Sequence, residues 1–200
     1  MHIELLLEEP SAEAFFANFL PKIVPEGMTW KLIPFQGKAD LLSNLEKRLK
    51  GYAAWLPEDW RIVVLVDEDR EDCTKLKAKL ETAAKAAGLT TKSRAKRGSF
   101  TVLNRIAVEE LEAWFLGDVE GLRAAYPGVP ASLGSRENFR DPDAVPGGTW
   151  EALERVLQRA GHFQGGLGKI ELARTMARHM EPTRNRSRSF QQFMKGMSAL

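Results

Sequence analysis

Two short apolar runs stand out against the rest of the chain: Ile3-Glu4-Leu5-Leu6-Leu7 opens it, and Val63-Val64-Leu65-Val66 recurs further in. Each is too short for a helix and lacks polar alternation. That is the pattern of a strand buried on both faces of a parallel sheet. Each also ends in acids, Glu8-Glu9 after the first and Asp67-Glu68-Asp69 after the second. Between the runs the spacing turns helical. Ala12, Ala14, Phe15, Phe16 and Leu20 give an apolar face to a helix that starts at Pro10-Ser11 and is ended by Pro21 and Pro25. A strand over 29–35 follows, then a turn at Gln36-Gly37-Lys38. A helix over 39–49 comes next, with Leu41, Leu42, Leu45 and Leu49 on one side. Residues 51–60 read as a loop with aromatic contacts. A third strand covers 61–66, a helix 73–87 is stopped by Gly88, a fourth strand covers 100–106, and helical pattern resumes over 108–115.

Strands alternating with amphipathic helices predict an α/β fold with a mainly parallel sheet of about four strands flanked by helices, over residues 1–117. From Gly117 no strand pattern recurs. Residues 126–148 are rich in Pro and Gly, a length typical of lids, binding loops or linkers. Helices are expected over 149–160, 167–179 and 186–197. Residues 118–200 therefore read as a helical region packed on the first domain.

Composition narrows the class. The chain has 200 residues, 44% hydrophobic and 28% charged, which is ordinary for a globular protein. Cys73 is its single cysteine, so no disulfide framework forms, and a cytoplasmic location is expected. The opening apolar run is too short and too soon acidic for a signal peptide, and nothing approaches the ~20 apolar residues of a membrane span. Net charge is only +2, but its distribution is uneven. Lys92, Arg94, Lys96, Arg97 and Arg105 form one basic stretch. Arg174, Arg178, Arg184, Arg186, Arg188 and Lys195 make the C-terminal end basic. Acids concentrate at Glu8, at 67–72 and at 109–112. Acids between basic surfaces suit a metal site that handles a polyanion; two solvated basic faces give the same composition.

Ligands of open α/β sheets sit beyond the carboxyl ends of the strands. If the two apolar strands are neighbours, Glu8, Asp67 and Asp69 converge there. These are hard oxygen ligands of the kind Mg²⁺ takes, one or two at a time, together with water and phosphate. The Asp67-x-Asp69 spacing puts both on one side of an extended strand, unless a loop breaks the alternation. Acids at such junctions also cap the following helix, and Glu71 and Asp72 fit that role.

Leu7-Glu8-Glu9-Pro10-Ser11-Ala12-Glu13 followed by Val66-Asp67-Glu68-Asp69 resembles the Toprim domain of topoisomerases, bacterial primases and the overcoming-lysogenization-defect nucleases. That domain carries a glutamate after its first strand and Asp-x-Asp after its third. More closely, Pro34-Phe35-Gln36-Gly37-Lys38, Val66-Asp67-Glu68-Asp69 and Glu110-Leu111-Glu112-Ala113-Trp114 are similar to the Toprim-like family named domain of unknown function 4276. The resemblance implies that Glu8, Asp67 and Asp69 are catalytic and hold Mg²⁺ or Mn²⁺. It implies a metal-dependent nuclease that works beside an ATPase partner in anti-phage defence. Two departures matter. Glu9 stands where Toprim domains have glycine, and Tyr52 and Tyr126 lack the context of a nucleophilic tyrosine, so water is the expected attacking group.

Other residues extend the candidate site. Glu109 and Glu112 lie three apart on the helix after the fourth strand, where either could add a metal ligand or simply face solvent; Asp118 is a further candidate. Gly37-Lys38 at a helix start suits phosphate, but it is not a Walker A loop, since Ala39 stands where Ser or Thr belongs. Arg184, Arg186 and Arg188 could grip a nucleic-acid backbone or line a solvated helix start. His2, His162 and His179 lack the spacing of a zinc site. Lys169 opens a helix. Two alternatives to a nuclease remain at this point: a non-catalytic nucleic-acid-binding or ATPase-regulating adaptor, and hydrolysis of a small phosphorylated molecule.

Overall fold

A computed structural model of the chain describes residues 1–96 and 98–200. Arg97 of the basic stretch lies outside them. Four strands, β1 (His2–Leu7), β2 (Thr29–Pro34), β3 (Trp60–Asp67) and β4 (Val102–Ala107), form one sheet in the order β2-β1-β3-β4. All neighbours run parallel, and β1 lies directly against β3, with Leu7 opposite Leu65. The crossovers are α1 (Pro10–Ile23), α2 (Lys38–Ala53) and α3 (Cys73–Ala86).

The pleat divides the apolar runs between two cores. Ile3, Leu5 and Leu7 of β1 and Val63 and Leu65 of β3 pack with α1 and the C-terminal helices. Leu6, Ile62, Val64 and Val66 pack on the other face, with Leu41, Leu45, Leu49 and Tyr52 of α2 and Leu80 and Ala84 of α3. The absence of polar alternation in both runs follows from this double burial.

The chain continues through α4 (Leu111–Gly117), α5 (Val119–Ala125), α6 (Thr149–Arg159), α7 (Lys169–His179) and α8 (Arg188–Met197). No strand is found among the described residues of this part. It closes over α1 through an aromatic seam. Trp114 is fully buried, with ring centroids 5.2 Å from Phe190, 5.1 Å from Phe193 and 6.3 Å from Phe16. Its indole N–H donates to Ser189 Oγ at 2.8 Å. None of the described helices is long and apolar enough to cross a membrane.

Three boundaries differ from expectation. α1 runs through Pro21 to Ile23, because a proline in the last turn removes only one hydrogen bond. α2 runs past Gly51, since Tyr52 continues the buried stripe of Leu41, Leu45 and Leu49. α4 starts only at Leu111, because Glu109 has a left-handed backbone, φ +60°, and Glu110 is the N-cap.

Candidate functional site

The carboxyl ends of β1 and β3 bring Glu8 and Asp67 together. β1 ends at Leu7 and β3 at Asp67, so the two acids leave adjacent strands at nearly the same level. The backbone N–H of Asp67 donates to Glu8 Oε2 at 3.0 Å, which fixes the glutamate across the strand pair. Glu112 joins from α4, where it is only 2% exposed. Burial pushes the Glu8 carboxyl above its ordinary range, against the Asp67 N–H and Lys38, which pull it down. Asp67 is pushed well up by burial, then by the charges of Glu8 and Glu112. Burial drives Glu112 up to about 7.

Two lysines flank these acids, one from each side of the sheet. Lys38 opens α2. Its ammonium donates to the Glu68 carbonyl at 2.9 Å and pairs with Asp69 Oδ2 at 2.5 Å. Lys169 opens α7, 3.8 Å from Glu9 Oε1, with its ammonium 4.8 Å from the Trp150 ring centroid. Burial alone lowers an ammonium's pKa. At Lys169 the carboxylates of Glu112, Glu9, Glu110 and Asp67 outweigh burial and hold it above the ordinary lysine value. Glu110 is occupied differently: its Oε2 accepts from Thr149 Oγ1 and from the Trp150 N–H, both at 3.1 Å, and so caps α6.

Asp69 departs from the expected pair with Asp67. The strand ends at Asp67, and Asp69 sits at φ +52°, so the alternation is broken and its side chain turns to Lys38. The turn is pinned from the neighbouring strand. The Asp69 N–H donates to the Glu109 carbonyl at 2.7 Å, and the Glu109 N–H donates to Glu68 Oε2 at 3.2 Å. Two adjacent left-handed acids, each held by the other's loop, form a strained rim of a kind that collects at functional sites. The helix-capping role falls to Asp72, which accepts from the Lys75 N–H at 3.0 Å. Glu71 is held by Lys79 at 2.7 Å.

The arginines lie elsewhere. Arg184 is bonded to Asp118 at 3.0 and 3.2 Å, and Arg186 donates to the Gly134 carbonyl at 3.0 Å. Both line a depression separate from the acids, and exposed Arg188 lines another, beside Cys73 and Arg105. Asp118 is likewise structural: fully engaged by Gly121, Glu181 and Arg184, it belongs to the α5 cap.

A cleft of about 850 Å³ opens at the rim, lined by Lys38, Asp69, Arg70, Glu109 and Glu151, with residues 144–148 as one wall; Glu8, Asp67 and Glu112 lie behind that lining. The donor set suits a hard dication. Glu8, Asp67 and Glu112 are oxygen ligands raised by burial and by carboxylate neighbours, and a bound cation relieves both effects. As placed, however, no three ligating side chains among the described residues stand close enough to hold an ion. Lys169 and the Glu110 cap escaped the sequence reading. Lys169 is remote in the chain, and its only local signal is a helix start after glycine.

A family model described as "Domain of unknown function (DUF4276)" matches residues 7–198. No curated protein and no solved structure matches the chain.

Proposed function

The chain belongs to the family named domain of unknown function 4276, and from that premise we propose that it is a metal-dependent phosphodiesterase acting on nucleic acid. The meeting of Glu8 and Asp67 on adjacent strand ends, with Glu112 behind them, carries this reading. These three residues would hold Mg²⁺ or Mn²⁺; the Toprim resemblance implies Glu8 and Asp67 in that role together with Asp69, and Glu112 stands where Asp69 does not reach. When bound, the metal supplies an acidified water and charge neutralisation at the phosphate. Lys38 and Lys169 stand on either side of the acids, placed to face phosphate oxygens. Asp69 would become a ligand only on leaving Lys38. The 144–148 wall of the cleft limits the approach of solvent and substrate. An ATPase partner and a role in anti-phage defence belong to the same reading.

The test is cleavage of supercoiled plasmid and of RNA with Mn²⁺, by the native chain and by Asp67→Asn. The expected result is cleavage that falls at least ~100-fold in the variant, the scale of losing a charge-stabilising group. Equal cleavage by both proteins would remove Asp67 from the chemistry.

A second reading rests on the two lysines. Lys38 holding Asp69 and Lys169 beside Glu9 and Glu112 give the acids internal counter-charges. A site so neutralised fits a non-catalytic adaptor that binds nucleic acid or regulates an ATPase. In that case Asp67→Asn leaves partner and nucleic-acid binding intact, and neither protein cleaves.

A further inference from the structure

A second groove lies on the outer side of β2 and α2, away from the acids. Its volume is about 560 Å³, and Phe35, Lys47, Arg48, Tyr52 and Trp55 line it. Its lining follows α2 from Asp40 to Trp55, and the Asp40 end lies two residues along the helix from Lys38, whose ammonium meets Asp69. Sixteen residues of helix span ~24 Å, room for several nucleotides of extended strand.

Three features of this groove need an occupant. Trp55 is 56% exposed, the most exposed large hydrophobic side chain among the described residues. It is nevertheless held firmly, with ring centroids 5.5 Å from Trp60, edge-on, and 5.6 Å from Tyr52. Tyr52 is locked in turn by donating its hydroxyl to the buried carboxylate of Glu4 at 2.7 Å. A rigid exposed aromatic face is the platform on which bases stack, at low entropic cost. The second feature is charge. Lys47 and Arg48 are exposed and have no salt bridge among the described residues; Arg48 lies 5.8 Å over the Phe35 ring. The one acid lining the groove, Asp40, is already satisfied by the Gln36 N–H at 2.9 Å and by Asn44 at 2.8 Å. Third, rings and polar groups alternate along its lining, Phe35, Tyr52 and Trp55 beside Asn44, Lys47 and Arg48.

The geometry points to a binding track for single-stranded nucleic acid along α2, in which Trp55 stacks a base and Lys47 and Arg48 take the phosphates. The track feeds the acidic crevice past Lys38. The proposal rests on the phosphodiesterase reading for its direction and names the substrate class: a single strand or a frayed end, since duplex bases cannot reach a ring set in a groove.

Binding is measured with metal chelated, so that cleavage plays no part. The full chain is titrated into fluorescein-labelled single-stranded oligodeoxynucleotide, oligoribonucleotide and a blunt duplex, and anisotropy is followed. Single strands are expected to bind more tightly than duplex. Trp55→Ala and the double variant K47E/R48E are each expected to weaken single-strand binding about fivefold or more, while Trp55→Phe keeps most of it. The charge reversal also lowers the single-strand salt slope by about 1.4 or more, and Trp55→Ala leaves it unchanged. Trp55→Ala also loses the ring contacts to Trp60 and Tyr52, so binding is read well below each variant's melting temperature, and the packed Trp55→Phe separates lost binding from lost folding. Wild-type binding that survives both variants within twofold, equal affinity for duplex, or no oligonucleotide binding at all overturns the track; the last outcome leaves the exposed tryptophan to a protein partner. Binding through Trp55 without any Mn²⁺-dependent cleavage keeps the track and sinks the phosphodiesterase reading. Cleavage indifferent to Trp55 does the reverse.

Discussion

The acidic crevice and the aromatic seam are built from the same helices and obey opposite rules. Glu112 and Trp114 sit two residues apart on α4, both fully buried. Trp114 is surrounded by Phe15, Phe16, Phe190 and Phe193 and has its one polar atom satisfied. Glu112 is pushed up to about 7 by burial, with Lys169 pulling its carboxyl down and Glu110 and Glu9 adding to the rise. One side of the helix stabilises the fold, and the other stores unfavourable charge. The comparison teaches that the seam offsets a crevice that would not fold well by itself, and that chemistry here is supported from behind by packing.

The comparison is broken most severely at the seam. Trp114→Ala opens a cavity among four phenylalanines and removes the indole donor to Ser189 Oγ, which keeps Asp143 and Ser187 as partners. A loss of about 3–5 kcal/mol is expected, read from urea unfolding at constant slope. A smaller break comes at Asp118, which joins the start of α5 to Glu181 and Arg184. Asp118→Ala leaves backbone donors unpaired in the interior and is expected to cost about 2–3 kcal/mol. The Trp114 change removes no ionisable group and lowers stability at every pH alike.

The crevice responds in the other direction. The folded-state pKa of Glu112 lies above its unfolded value of 4.5. The native state therefore holds the proton more tightly, and stability is lost as pH rises from about 4.5 through about 7. The metal-free chain is expected to melt higher at pH 5 than at pH 8. Glu112→Gln flattens that profile and stabilises the chain at pH 8 by on the order of 2 kcal/mol. A profile unchanged in the variant would assign the charge cost to other carboxylates. Mn²⁺ is expected to raise the native melting temperature more at pH 8 than at pH 5, since it binds the ionised acids, and Asp67→Asn shrinks that rise.

Much of this contrast is legible in the sequence, and the illegible part has a common cause. β1 and β3 announce themselves as unalternating apolar runs because both faces of the sheet are covered. Their adjacency brings Glu8 to Asp67 as expected. Helix boundaries are less visible: Pro21 and Gly51 are local stop signals that tertiary burial overrides. Asp69 and Glu109 are the clearest failures. Asp69 is expected on one side of the strand with Asp67 and Glu109 on one helical face with Glu112, yet the sign of φ at each goes with a hydrogen bond to the other's loop, remote in the chain. Arg184 is similar: its basic neighbours suggest a polyanion, but a buried Asp118 holds it. Lys169 is marked locally only as a helix start after Gly168, because the docking of α7 against α1 is what carries it to the acids.

The strand order has a consequence for how the molecule breathes. β1 is hydrogen-bonded on both sides, whereas β2 has one open edge and β4 is bridged on its outer side only at Val102, by Thr91. Amide protons of β1 and β3 are therefore expected to exchange with solvent only on global opening, and those around Asp69 and Glu109 far sooner. The floor beneath Glu8 and Asp67 then stays fixed on the timescale on which its rim loosens, so Asp69 can swing while the two acids that face each other do not.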